Sequence, residues 1–522
     1  MKKLNIKDCL LSIDVATLLV SLYFSLAVLT YAYLQVGPNG LLLFLLFVGL
    51  LVGSYALFGI VIKCLRNISF DSPKAVPEKR KWLVFGVSAL VTFGLLLVWF
   101  FAYFPGSFSA DSITTYRQAV TGHYSDWHPA WYTLFAQTLP LKLFGVPQAT
   151  TIMQLIFFSL VVGFTTLTIY EMGNVKSAIV SLALIVFNPF NCYIVLYQWK
   201  DVTFSIAAML CTTYALRLIC KLSKPQLWKL VLYGFALASC TVFRHNAILF
   251  TAPLLLVLFF QIERKDWIKI IVVTVASLII IKGPVYHAFQ VEKPDRRVSE
   301  TTGLFLSIIG NVAKETPERM DKELSEFAYS LASPEVWANY EFKYGFNSVK
   351  WNGADVSVVE EQGLFGMLHL TIKCFQLSPK ASMDELINIT DIVYGFESAM
   401  KGYFVAEIDP NDLGIAYTEQ TNMYLQDLVS GYASFFNTSL FKYIRTFGVW
   451  MFVILLVYFS KLRFTSWSSW KKWFIILPLF AHNFGTMLLQ TAPEARFFFV
   501  TYLIGPLLVV YALHKEENDI NG

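Results

Sequence analysis

Long apolar runs follow one another down this chain, separated by short polar turns. Two polar stretches break that rhythm, Phe104 to Thr133 and the segment 285–441. A run of about 18 residues or more can cross a hydrocarbon core of about 30 Å as a helix. Hydropathy windows place about twelve such spans, near 11–34, 41–62, 82–104, 149–170, 177–197, 202–219, 228–243, 246–262, 267–284, 443–460, 473–490 and 497–513. Pro189 and Pro253 fall inside spans and predict broken or tilted helices there. The pattern therefore predicts an all-α polytopic membrane protein. Its parts are a membrane domain over 1–284 with an outer loop at 105–148, an extracytoplasmic domain over 285–441, three closing spans within 442–513, and a cytoplasmic tail at 514–522.

The inserted domain has soluble-like composition and helical patterning. LFLSIIGNVAKE predicts an amphipathic helix lying near the membrane. ERMDKELSEFAYSLAS and SMDELINITDIV predict further helices, with Thr316 and Ser382 as candidate caps.

Composition narrows the class. Hydrophobic residues make up 56% of the 522 and charged residues 15%, against about 25% charged in soluble proteins. The net charge of +5 matters through its placement. With Lys2, Lys3 and Lys7 cytoplasmic, alternation puts Lys63, Arg66, Lys74, Lys79 to Lys81, Arg217, Lys221, Lys224, Lys229, Arg264, Lys265, Lys461, Arg463, Lys471 and Lys472 inside. The short outer turns keep only Arg117, Lys142, Lys200, Arg244 and Arg496, a positive-inside bias that supports the span order. Both termini are then cytoplasmic. The first apolar run is too long for a leader core and reads as a membrane helix. The seven cysteines show no CxxC pair or metal-ligand spacing. Short outer turns fit a bacterial plasma membrane, and nothing in the charge pattern suggests nucleic acid.

The same alternation brings four polar turns to the outer face. They are the Asp111–His128 loop, Gln198-Trp199-Lys200-Asp201, Arg244-His245-Asn246 and Pro493-Glu494-Ala495-Arg496. Ionisable residues at membrane depth are costly and mark functional sites. Asp111 opens a helical stretch, where an acid suits the helix dipole. It could equally serve as a general base facing a glycosyl donor. Asp126 is the second candidate carboxylate, or a turn acid before Pro129. With His128 it is a candidate pair for a divalent metal ion such as Mg²⁺, Mn²⁺ or Zn²⁺, although two ligands do not make a site. Lys200, Arg244 and Arg496 form a basic trio suited to a lipid phosphate, with arginine able to grip it through two hydrogen bonds. Each has an ordinary reading as well, snorkelling or a surface pair with Asp201 or Glu494. His128, Tyr116, Trp127, His245, Asp201 and Glu494 are the candidate substrate contacts, the aromatics being also what an interfacial belt would hold. Ala130 to Phe144 reads as a helix along the outer interface, started by Pro129. The account requires these remote side chains to gather around one outward-opening cavity.

PGSFSADSITTY, YQWKDVTF, FRHNAILF and PEARFFFV together resemble motifs of the GT-C superfamily of integral-membrane glycosyltransferases. The resemblance covers roughly Trp82 to Gly283 and the last spans. It implies Asp111 as catalytic base, a polyprenyl-phosphate-linked sugar as donor, and inverting transfer to a cell-surface glycan, glycopolymer or lipid acceptor. It implies phosphate contacts from the Lys200-Asp201 turn and from the later basic turns. The chain departs from that pattern in three respects. Two spans precede the loop-bearing helix, the soluble domain sits before the last three spans, and no tight DxD or ExD pair is present. A polytopic transporter or flippase of lipid-linked saccharide is the rival expectation. It predicts inverted repeats and mid-membrane charges, neither of which stands out in the sequence. A non-enzymatic receptor would leave the Asp111 loop unexplained.

Overall fold

The computed structural model describes residues 14–37, 39–70, 76–294, 298–396, 406–418, 420–462, 464 and 466–515. Lys2, Lys3, Lys7, Cys9, Lys74, Asp295, Arg296, Arg297, Arg463 and the tail beyond 515 lie outside those residues. Among the described residues the regular structure is helical, and extended pairing is confined to isolated bridges.

Eight helices are long and apolar enough to cross a membrane: Val15–Val36, Gly40–Asn67, Glu78–Ala102, Gln148–Met172, Lys200–Ile219, Arg264–Ala288, Trp467–Leu489 and Ala495–Leu513. Val175–Val186 and Pro189–Leu196 qualify as a pair, bent by 56°. That bend lies at the expected proline. Asn188 Oδ1 accepts from Phe190 N at 3.1 Å and restarts the helix, with Pro189 at its first position. Leu227–Phe243, Ile248–Gln261 and Phe447–Lys461 are apolar but hold only 17, 14 and 15 residues. A straight span needs about 20. Length and composition thus give eight spans, or nine with the bent pair, where hydropathy windows read about twelve. A window averages over the turns that cut these helices short.

Glu78–Ala102 packs along Gln148–Met172. A Cβ on Gly163 would meet Phe85 O at 2.8 Å, so glycine is what permits that approach. Lys200–Ile219 is the central helix, buried on nearly every face. Its far end carries Arg217, whose Nη1 lies 2.5 Å from Glu171 Oε2, with Lys81 Nζ 3.4 Å from Glu171 Oε1. Lys81 and Arg217 therefore sit at the end of the bundle opposite Asp111.

The insertion has its own apolar core, running from Leu304 to Ile389 and built on Gly303–Glu315, Lys322–Leu331, Ser357–Leu377 and Pro379–Tyr394. It seats on the turn before Arg496. Ser307 Oγ and Phe346 N donate to Thr491 O at 3.1 and 3.0 Å, and Gln490 Nε2 donates to Ile389 O at 2.7 Å. LFLSIIGNVAKE does not lie on the membrane surface as expected. It is the buried centre of this core, because its whole length from Gly303 to Ala313 is covered by neighbouring helices. Neither expected cap holds either. Asp321 caps its helix through Leu324 N at 2.9 Å, and Ser382 lies inside a helix that already starts at Pro379. From Ile392 onward the insertion joins the core of the membrane helices, which takes in Ile392, Val393, Ala406, Val429 and Ala433.

Candidate functional site

The loop before Asp111 is the middle of three short extended segments. Ser107 bridges to Tyr197 on one side and Phe108 to Ile408 on the other. Ser107 N donates to Leu196 O at 3.1 Å and Gln198 N to Ser107 O at 3.2 Å. This pairing ties the Asp111 loop to the Lys200 turn. Gly106 makes it feasible. Its φ is +125°, and a Cβ there would run into Thr151 Oγ1. The helix Ala110–Thr121 follows and stops at Gly122 in the left-handed conformation. Asp111 stands in its first turn.

Three side chains from three other turns surround Asp111. Arg496 Nη1 lies 3.0 Å from its Oδ2, Lys200 Nζ 3.8 Å from the same oxygen, and His128 Nε2 3.9 Å from Oδ1. Lys200 Nζ is 3.0 Å from His128 Nδ1. An ammonium can only donate, so Nδ1 accepts and the ring proton sits on Nε2, facing Asp111. Arg496 also lies 3.6 Å from Glu494 Oε2, and its guanidinium stacks 4.7 Å above the Trp199 ring. Trp199 in turn stacks on Tyr197 at 3.9 Å and donates from Nε1 to Ser109 Oγ at 2.6 Å.

Charge sets the protonation states. Burial pushes the Asp111 pKa up, but Lys200 and Arg496 outweigh it and hold the carboxyl well below the usual range. Burial, with the Lys200 ammonium beside it, lowers His128 to about 3. The pair at neutral pH is thus a carboxylate and a neutral imidazole.

Between these groups lies a recess of about 10 Å³, lined by Asp111, Thr115, His128, Tyr132, Gln198, Trp199 and Lys200. It has room for about one water. Asp111, His128 and Lys200 gather as expected, but around a recess of one water's size and not a large open cavity.

The remaining candidates divide. Arg244 does not face the recess. Its Nε lies 2.9 Å from Asp201 Oδ1, its Nη1 donates to Phe497 O at 3.2 Å, and its guanidinium covers the Phe497 ring at 4.4 Å. Arg244 and Asp201 are both buried. They form a buried scaffold pair that faces inward and not into the recess. Asp126 is also taken. Lys282 Nζ donates to its Oδ2 at 2.7 Å, and Tyr286 OH and Ala130 N donate to its Oδ1 at 3.0 Å each. Asp126 caps the helical run that starts at Ala130 and clamps it to Lys282 and Tyr286, so both of its oxygens are engaged in holding that run. Tyr116 packs edge-on against Phe108 at 6.0 Å in an apolar cluster and does not reach the recess. His245 Nε2 meets Trp127 O at 3.1 Å, which ties these two turns together at the rim.

Asp126 and His128 answer to different partners, Lys282 and Tyr286 for the first and Lys200 and Asp111 for the second. No group of three or more His, Cys, Asp or Glu side chains able to hold a metal ion occurs among the described residues. The donors at the recess are interleaved with an ammonium and a guanidinium, which do not fit a divalent cation.

The sequence reading missed Thr115 and Gln137, and saw Tyr132 only as one of the flanking aromatics. Thr115 stands one helical turn after Asp111, a spacing that could have found it. Gln137 sits in a π-helical stretch, Thr133–Thr138, and donates to Thr115 Oγ1 at 2.9 Å and to Tyr132 OH at 3.1 Å. Tyr132 OH donates to Gln198 O at 2.5 Å. Nothing local in the sequence marks that π-turn. Comparison with protein-family models, curated proteins and solved structures returns no match for this chain.

Proposed function

We propose that this chain is an integral-membrane glycosyltransferase of the GT-C type. It takes a sugar from a polyprenyl-phosphate donor and passes it to a hydroxyl of a cell-envelope acceptor on the outer face of the plasma membrane. The observation that carries this reading is the meeting of Lys200 and Arg496, from two remote turns, with Asp111 and His128 of the long polar loop. Counting the bent pair and the three short apolar helices with the eight long ones gives the twelve spans that the reading uses.

In this reading the donor phosphate replaces Asp111 as the partner of Lys200 and Arg496. Loss of those two partners lets the Asp111 pKa climb toward the range of a working base. The carboxylate then takes the proton of the acceptor hydroxyl as its oxygen attacks the anomeric carbon. The bond from that carbon to the phosphate oxygen breaks, and its electron pair leaves with the lipid phosphate, held by Lys200 and Arg496. One in-line displacement inverts the anomeric centre. His128, with its proton on Nε2, steadies the carboxylate.

A lipid-borne donor has further support. An apolar groove of about 400 Å³ opens between the bent pair and the helix Met423–Thr438, lined by Val180, Ala183, Phe187, Tyr432, Phe435 and Phe441. The helix Pro189–Leu196 links it to the Lys200 turn, about 12 Å away at 1.5 Å per residue. The test is turnover by the purified chain in nanodiscs. A panel of undecaprenyl-phosphate-linked hexoses and pentoses is offered with envelope membranes of the source cell as acceptor. Release of undecaprenyl phosphate together with labelled envelope supports the reading. Translocation of intact donor without release would point instead to a flippase.

A further inference from the structure

The helix that carries Asp111 has no side-chain cap from its own N-terminal residue. Ser109 occupies the N-cap position, yet its side chain makes no capping bond. Its hydroxyl is the acceptor for Trp199 Nε1 instead. The acceptor that the open helix N-terminus needs comes from the far side of the inserted domain, where Asp409 Oδ2 receives Ala110 N at 2.6 Å.

Asp409 is itself firmly placed. Phe108 N donates to Glu407 O and Asp409 N to Phe108 O, both at 2.9 Å, so the segment 407–409 pairs directly with the Asp111 loop. Asn411 closes the turn beyond, donating to Asp409 O at 3.0 Å and to Ile415 O at 2.8 Å. Ile415 is buried against Phe108, Ile113 and Tyr116. Arg117 reaches across to both oxygens of Asp412 at 2.9 and 2.5 Å. On the other edge, Thr421 Oγ1 donates to Phe104 O at 3.0 Å and Asn422 N to Phe101 O at 2.9 Å. The described part of 406–422 is thus a strap laid along the whole approach to Asp111.

We propose that Asp409 is a positioning residue for Asp111: it supplies, through the strap, the cap that Ser109 gives up to Trp199. The two bonds divide the work. Trp199 donating to Ser109 sets the helix against the Lys200 turn, and Ala110 donating to Asp409 fixes the pitch of the turn bearing the carboxylate. Without Asp409 the first turn frays, and Asp111 drifts from Lys200 and Arg496 while those cations stay where they are. The effect on turnover rests on the glycosyltransferase reading; the effect on the helix does not.

The experiment uses the full chain in nanodiscs and compares D409A, D409N and D412A with the unmodified protein. D409N keeps a side-chain oxygen that can accept from Ala110 N. D412A removes only an exposed ion pair, which contributes little. Amide hydrogen exchange over 109–113 needs no substrate. D409A should exchange there about fivefold faster, with D409N and D412A close to unmodified. In the undecaprenyl-phosphate sugar assay, D409A should lose about ten- to a hundredfold in kcat, with KM for the donor little changed and D409N restoring the rate. Unchanged exchange in D409A overturns the inference, as does a loss that appears in KM instead of kcat. Loss of cooperative unfolding in D409A overturns it too, since Asp409 would then be a determinant of the fold. Should the unmodified chain release no undecaprenyl phosphate, the glycosyltransferase reading falls and exchange alone decides the role of Asp409. Turnover abolished in D111N but intact in D409A sinks the positioning role and leaves the enzyme reading standing.

Discussion

Two arginines that look alike in sequence should fail in opposite ways when removed. Arg244 lies 2.9 Å from Asp201, and the two side chains are 7% and 1% exposed. At that separation the attraction is about 6 kcal/mol for an effective dielectric near 20. Deleting one partner of such a buried pair costs about 3–5 kcal/mol, because the other charge is stranded. R244M should therefore unfold at a markedly lower temperature or denaturant concentration. D201N with R244M should recover much of that loss, since no charge is left behind. Arg496 pairs with Asp111, which Lys200 and His128 also face, so a charge partner remains for the carboxylate when Arg496 is removed. R496Q should melt near the unmodified protein yet lower kcat/KM by about a hundredfold or more, as removal of a charge-stabilising donor does. Thermal denaturation in nanodiscs, followed by tryptophan fluorescence, reads the first effect, and donor turnover reads the second. An R244M chain of normal stability with weakened donor binding would refute the scaffold role and return Arg244 to the phosphate.

Two further outcomes follow from the site. His128 is lowered to about 3 in the folded chain, against about 6.5 unfolded, so between these values the unfolded state binds more protons and stability falls as pH falls. H128N should flatten the dependence of melting temperature on pH between about 4 and 6.5; an unchanged slope would contradict the buried neutral imidazole. D126A should cost about 1–3 kcal/mol through the stranded Lys282, Tyr286 and Ala130 donors, while the folded fraction keeps its kcat; a selective loss of kcat would restore Asp126 as a reacting group.

Much of this architecture was legible because membrane helices must be apolar along their length, so the runs announce themselves. The convergence of the Asp111, His128, Lys200 and Arg496 turns was legible for a related reason. Charges that the alternation of spans puts on the outer side, against the topology bias, need a cause. What the sequence could not say is which charge answers which. Arg244 follows the end of one helix and Arg496 opens another, and only packing reveals that Asp201 closes on the first. Asp126 looked like a partner for His128 from their spacing, yet Lys282 and Tyr286 from a distant helix claim it. Asp409 left no trace at all, since a cap donated across hundreds of residues has no local pattern. The helix Gly303–Glu315 misled for the opposite reason, because an amphipathic period fits a membrane surface and a domain core equally well.

The most direct measurement is donor turnover by D111N beside the unmodified chain, both shown to be folded and to bind undecaprenyl phosphate. The account predicts that the unmodified chain releases undecaprenyl phosphate and that D111N binds the lipid as well or better but releases none. Undiminished release by D111N would contradict it.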